Sequence, residues 1–94
     1  MAVSFVIPTY LASFAGNRTT VAVNAAPATV RDALESLWKI HPGLRDRIVD
    51  ERGEVRQHIN VFVGTECIRF TGGLSTQVPD GAELMIVPAV SGGV

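Results

Sequence analysis

Glycines 92 and 93 lie one residue from the end of the chain, behind Pro88-Ala89-Val90-Ser91. They follow Glu83-Leu84-Met85-Ile86-Val87, a run of strand-forming residues that proline brings to a close. Without a Cβ, glycine backbone enters passages too narrow for any other residue. Fully extended, Ala89 to Gly93 would carry a terminal group roughly 17 Å from the last strand, at about 3.3–3.6 Å per residue. The composition suits insertion into the site of another protein. The same residues also suit an ordinary frayed terminus.

The conventional reactive side chains are sparse. Cys67 with His41 or His58 would make a nucleophile and base, but Cys67 sits between Glu66 and Ile68 with only Arg69 as a cationic neighbour. A packed structural thiol is the stronger reading. No pair of Cys and His residues has zinc-ligand spacing, so no metal is expected. Gly72-Gly73 lacks the lysine and following helix of a phosphate loop and reads as a turn, as does Asp80-Gly81.

The elements that must position the tail are legible from periodicity. Val3, Phe5 and Ile7 alternate as a strand that stops at Pro8, and Thr19 to Asn24 gives a second, with Val21 and Val23 on one face. The connection between them, Tyr10 to Phe14, is too apolar for a plain solvated loop. Thr29 opens a helix with an apolar stripe at Val30, Ala33, Leu34, Leu37 and Trp38, which His41-Pro42-Gly43 ends near Ile40. Leu44 to Val49 suits a further helical turn, and residues 50–54 a charged surface loop. His58 to Val63, Cys67 to Phe70 and Glu83 to Val87 are the remaining strands, the middle one short.

Five strands and one substantial helix predict an α+β roll, a mixed sheet wrapping the helix in the ubiquitin-like β-grasp manner. Its core would be Val3, Phe5, Ile7, Val21, Val23, Ile59, Val61, Val63, Leu84 and Ile86 against Val30, Leu34, Leu37 and Trp38. Residues 1–88 form the domain and 89–94 the extended tail. The opposite sheet face carries Val6, Phe62, Met85 and Val87, a patch suited to a protein partner unless residues 10–14 fold over it. Phe62, Phe70, Leu74, Met85 and Val87 are the interface candidates.

Eight basic against nine acidic residues, with Lys39 the single lysine, offer no basic field for nucleic acid. The lone cysteine fits a reducing cytoplasm, no basic leader opens the chain, and no apolar run approaches the ~20 residues of a membrane span. A cytoplasmic location and neither nucleic-acid nor membrane binding are expected.

Asn60-Val61-Phe62-Val63, Arg69 to Leu74, Thr76, Pro79 to Glu83 and Val87 to Gly93 together resemble the MoaD/ThiS sulfur carriers, and are most similar to the CysO-type carriers of actinobacteria. The resemblance is loose before Gln57 and good after it. It implies the β-grasp fold, and a protein that serves as co-substrate with no catalytic residues of its own. A ubiquitin-activating-type (MoeB/ThiF-like) adenylating enzyme would join the Gly93 carboxylate to AMP from MgATP, with no cofactor bound by the carrier itself. A sulfur donor would convert the acyl adenylate to a thiocarboxylate. A sulfur-accepting biosynthetic enzyme, making cysteine or another metabolite, would then take the sulfur. Gly92, Ser91, Val90 and Ala89 would be the residues recognised in the insertion channel.

The resemblance breaks at Val94, which turns the Gly93 carbonyl into an amide. Removal of Val94 by a metallopeptidase is expected, or Val94 is foreign to the native chain. Within the family, the small subunit of molybdopterin synthase is the runner-up. Outside it stand a ubiquitin-like modifier conjugated through Gly93, and, remotely, a thiol enzyme at Cys67.

Overall fold

The computed structural model describes residues 2–24 and 26–88. The strands are β1 (Val3–Val6), β2 (Thr20–Val23), β3 (Ile59–Val63), β4 (Glu66–Cys67) and β5 (Glu83–Pro88). The helices are α1 (Val30–Ile40) and the single turn α2 (Arg45–Ile48). They build a mixed sheet of order β2-β1-β5-β3-β4. β1 and β2 form an antiparallel pair, while β5 lies parallel to β1 and antiparallel to β3. The first and last strands are thus central neighbours, a ubiquitin-like β-grasp with α1 on one face.

The period-two pattern explains which face that is. Val3, Phe5, Val21, Val23, Ile59, Val61, Leu84 and Ile86 all point inward and are buried. They meet Val30, Ala33, Leu34 and Leu37, the buried stripe of α1. Each such aliphatic or aromatic side chain contributes about 1.5–3 kcal/mol by leaving water. Thr29 caps α1, its Oγ1 accepting from the Asp32 amide at 3.3 Å, and His41 ends it. Val30 N–H donates to Thr76 O and Val78 N–H to Ala28 O, tying the helix start to the loop that leads into β5.

Two expected core members sit at its margin. Trp38 and Val63 are half-buried and packed against the cluster without entering it. Trp38 lies near the C-terminal end of α1, and so large a side chain is rarely covered entirely. Val63 is the last residue of β3 and faces the two-residue edge strand β4.

Two segments depart from the sequence expectation. Thr9–Ala15 forms a 3₁₀ helix that buries Leu11 and Ala15, which accounts for the apolar character of that connection. Its Phe14 ring stacks under the Arg47 guanidinium, 4.4 Å from centroid to carbon, on the helix side of the molecule. The strand expected over Cys67 to Phe70 stops at Cys67, and Ile68–Phe70 is a 3₁₀ turn. The chain turns there because Ile68 drops into the core while Phe70 points out to solvent, 87% exposed.

The charged loop is organised by one carboxylate. Asp50 Oδ1 accepts from the amides of Arg52 (2.9 Å) and Glu54 (3.1 Å). These donors, the Glu54 amide foremost, with the Arg52 guanidinium beside them, hold the Asp50 carboxyl below its ordinary value of 3.8. No helix among the described residues is long and apolar enough to cross a membrane.

Candidate functional site

The expected working residues follow Pro88, and Ala89, Val90, Ser91, Gly92, Gly93 and Val94 lie outside the described residues. The strand that carries them is described in full. β5 alternates exposed or half-buried Glu83, Met85, Val87 and Pro88 with buried Leu84 and Ile86. Its first half is flanked on both sides, Glu83, Leu84 and Met85 pairing with Ser4, Phe5 and Val6 of β1. Beyond Ile86, β3 is its partner among the described residues: Val87 pairs with Asn60 and Pro88 with Ile59.

The Gly64 amide donates to Glu83 O at 2.9 Å. Antiparallel alternation then makes Phe62/Met85 and Asn60/Val87 the hydrogen-bonded pairs. Pro88 falls at a non-bonded position opposite Ile59, so its missing amide removes no β3–β5 bond. Proline is tolerated here for that reason, and it marks the end of the ladder.

On the face away from α1, the register lines up Thr20, Val6, Met85, Phe62 and Cys67 across all five strands. Val6, Met85, Phe62 and Cys67 are half-buried, and Val87 stands one step from this row toward the tail. Four of the side chains read as outward-facing thus form one apolar row and its extension at the root of the tail. The 3₁₀ helix at Thr9–Ala15 buries Leu11 and Ala15 in the core and packs beside the Pro42–Leu44 turn.

Leu74 is placed elsewhere. It packs against the core cluster and lines, with Ile59, Val61 and Ile68, a groove of about 390 Å³ on the helix side. Phe70 stands beyond β4 at the sheet margin. The interface candidates therefore divide into an outward group (Phe62, Met85, Val87), one inward residue and one marginal one.

Gly72 (φ 122°) and Gly73 (φ 62°) occupy backbone conformations that L side chains rarely adopt, which identifies the pair as turn residues. The turn is closed by Thr76 Oγ1, 2.7 Å from Gly73 O and 2.9 Å from Thr71 Oγ1. Cys67 is not brought to either histidine. It pairs with Phe62, and His58 lies four residues from Phe62 along the chain, about 13 Å at 3.3 Å per residue. His41 is the C-cap of α1. Among the described residues no group of three His, Cys, Asp or Glu side chains is placed to hold a metal ion.

In the sequence Arg69 carried no role of its own, standing only beside Cys67 and within the family-like segment Arg69 to Leu74. Its Nε donates to Asn60 Oδ1 at 2.7 Å, and one Nη donates to both Gln57 O and Ile59 O at 3.0 Å. The only signal in the sequence was an arginine two residues after a short edge strand.

This geometry is a β-grasp domain whose last described residues pair with β3, beside an outward apolar row. The ThiS family profile matches residues 6–93, through both terminal glycines, and its match stops before Val94. The chain belongs to the ThiS family. It is 34% identical over 95 residues to sulfur carrier protein CysO of Mycobacterium tuberculosis, covering 99% of this chain and all of that one. It is 40% identical over 83 residues to small archaeal modifier protein 1 of Haloferax volcanii, covering 88% of this chain and 91% of the other. Among solved structures, a chain of the Amycolatopsis orientalis BexX/CysO complex superposes with a TM-score of 0.85 at 40% identity, over 97% of this chain and 99% of that one. Family membership and fold agree.

Proposed function

We propose that this chain is a sulfur carrier whose reacting group is the carboxylate of Gly93, and that it acts as a co-substrate with no catalytic residues of its own. The observation that carries the reading is the family match running through Gly93 on a chain 34% identical, end to end, to a named sulfur carrier. The rooting of β5 in the sheet supports it, since a carrier must hold its body still while its terminus reacts elsewhere.

A carboxylate resists nucleophiles because of its own charge. A partner adenylating enzyme of the ubiquitin-activating type removes that obstacle. A Gly93 oxygen attacks the α-phosphorus of MgATP, pyrophosphate departs, and an acyl adenylate remains. A sulfide-level donor then attacks the acyl carbon, the bond to AMP breaks, and a thiocarboxylate is left. Its soft anionic sulfur passes to a biosynthetic acceptor in a second enzyme. Phe62, Met85 and Val87, with Phe70 at the margin, form the surface that meets the partner, and Leu74 supports the neighbouring turn from within. The Amycolatopsis orientalis relative was solved in a complex, in keeping with a protein that works docked on another.

Val94 must be removed first, which we assign to a metallopeptidase; the cytoplasm is the setting that suits this chemistry. Chain ending in Gly93, incubated with an adenylating enzyme, MgATP and sulfide, is expected to gain the mass of one oxygen-for-sulfur exchange. Chain ending in Val94 is expected to gain none. Equal reaction of both forms would overturn the trimming step, and reaction of neither would overturn the carrier reading.

The 40% identity to small archaeal modifier protein 1 favours one second reading, in which activated Gly93 is joined to amines of other proteins. High-mass conjugates in place of the sulfur-exchanged species would select it.

A further inference from the structure

We propose that Arg69 is a positioning residue that fixes the end of β5, the strand from which residues 89–94 continue; its consequence for turnover rests on the carrier reading above, its structural effect does not. The argument begins with the edge of β3. Because Asn60 and Phe62 bond toward β5, the main-chain groups of Ile59 and Val61 point the other way, toward β4. β4 is only two residues long and pairs with Phe62 and Val63 alone. At its start β3 therefore presents Ile59 O, with Gln57 O just before it, to an edge where no described strand lies, and unpaired backbone groups there demand partners.

Arg69 supplies them. The chain turns at Ile68–Phe70 where β4 would have continued, and this turn brings the guanidinium alongside the uncovered edge. One side of its fork donates to Ile59 O, Gln57 O and the Asn60 side chain, all within 3.0 Å. A side chain thus takes the place of the missing strand. All three acceptors are neutral, so the charge strengthens the bonds without an ion pair competing for the group.

The residues held in this way have a second role. Ile59 and Asn60 are the β3 partners of Pro88 and Val87, the last two residues of β5, where β1 no longer accompanies it. The strand end that pairs with the last described residues of β5 is therefore itself held by Arg69. Loosening that end would let the last described rungs of the β3–β5 ladder open, while β1 and Phe62 still hold the first half of β5.

Amide hydrogen exchange by NMR on the full chain tests this with Arg69→Gln and Arg69→Lys. In R69Q the Val87 and Asn60 amides should exchange at least about tenfold faster, while Met85, Phe62 and Leu84 remain unchanged. R69K keeps the charge but lacks the planar fork, and should resemble R69Q. In the thiocarboxylation assay both variants, trimmed to Gly93, should show a raised KM for the carrier with kcat retained at saturation. Unchanged exchange at Val87 in R69Q, or a uniform rise across the sheet with a matching fall in Tm, would overturn the proposal. Restoration of exchange and KM by R69K would overturn it as well, since charge and not geometry would then be the cause. If wild type forms no thiocarboxylate the carrier reading fails, and the exchange pattern still decides the clamp.

Discussion

The two halves of β5 are secured in different ways. Glu83 to Met85 lie between β1 and β3, with Leu84 buried in the centre of the core. Among the described residues Val87 and Pro88 have β3 as their partner, and the β3 residues opposite them depend on one arginine side chain. Support thus decreases stepwise along six residues toward the glycines. That gradient suits the carrier proposed above: a first half strong enough to stay folded when docked, and a second half weak enough to yield locally.

The sharpest way to break the comparison is at the reacting end. Deleting Gly93 and Val94 should abolish sulfur acquisition while leaving the thermal transition in place; a variant that still gains sulfur would move the reacting group elsewhere. Next in size is Leu84→Ala. It should lower the unfolding free energy by about 2–5 kcal/mol in a urea titration, as a fully buried leucine demands. Val87→Ala, three residues on, should cost about 1 kcal/mol or less yet reduce binding to an adenylating partner. Equal destabilisation at the two positions would remove the distinction drawn between the halves.

Away from β5, Thr29→Ala should cost about 1 kcal/mol through loss of the α1 cap and shift the whole urea curve. The smallest effect is expected at Asp50. Its carboxyl is depressed in the folded chain by the Glu54 and Arg52 amides and the Arg52 guanidinium, so its contribution is present above the ordinary value of 3.8 and disappears as pH falls through the folded value. Asp50→Asn should lower stability slightly near neutrality and leave it almost unaltered below the folded value, which flattens that acid limb. A loss of equal size in acid would mean that the hydrogen bonds, and not the charge, hold the loop.

Strands β1, β2, β3 and β5 and helix α1 were legible because each has one face buried and one exposed, and burial writes a period into the residues. Val3, Phe5, Leu34 and Ile86 are core on that ground alone. The 3₁₀ helix at Thr9–Ala15 was visible only as unexplained apolarity, since seven residues with two buried side chains carry no period. The end of β4 was misjudged for a related reason. Cys67-Ile68-Arg69-Phe70 alternates as a strand should, but alternation cannot tell a strand from a turn that buries Ile68 and projects Phe70.

The terminal glycines, the alternating strands and the amphipathic helix are properties of neighbouring residues, and the order of amino acids determines them directly. Which strands meet, and therefore that Val6, Met85, Phe62 and Cys67 form one row, is a relation between residues far apart in the chain. That Leu74 turns inward and that Arg69 reaches back across nine residues to Asn60 are relations of the same kind. Only the closed sheet decides them, because hydrogen-bond register depends on partners that a local pattern cannot name.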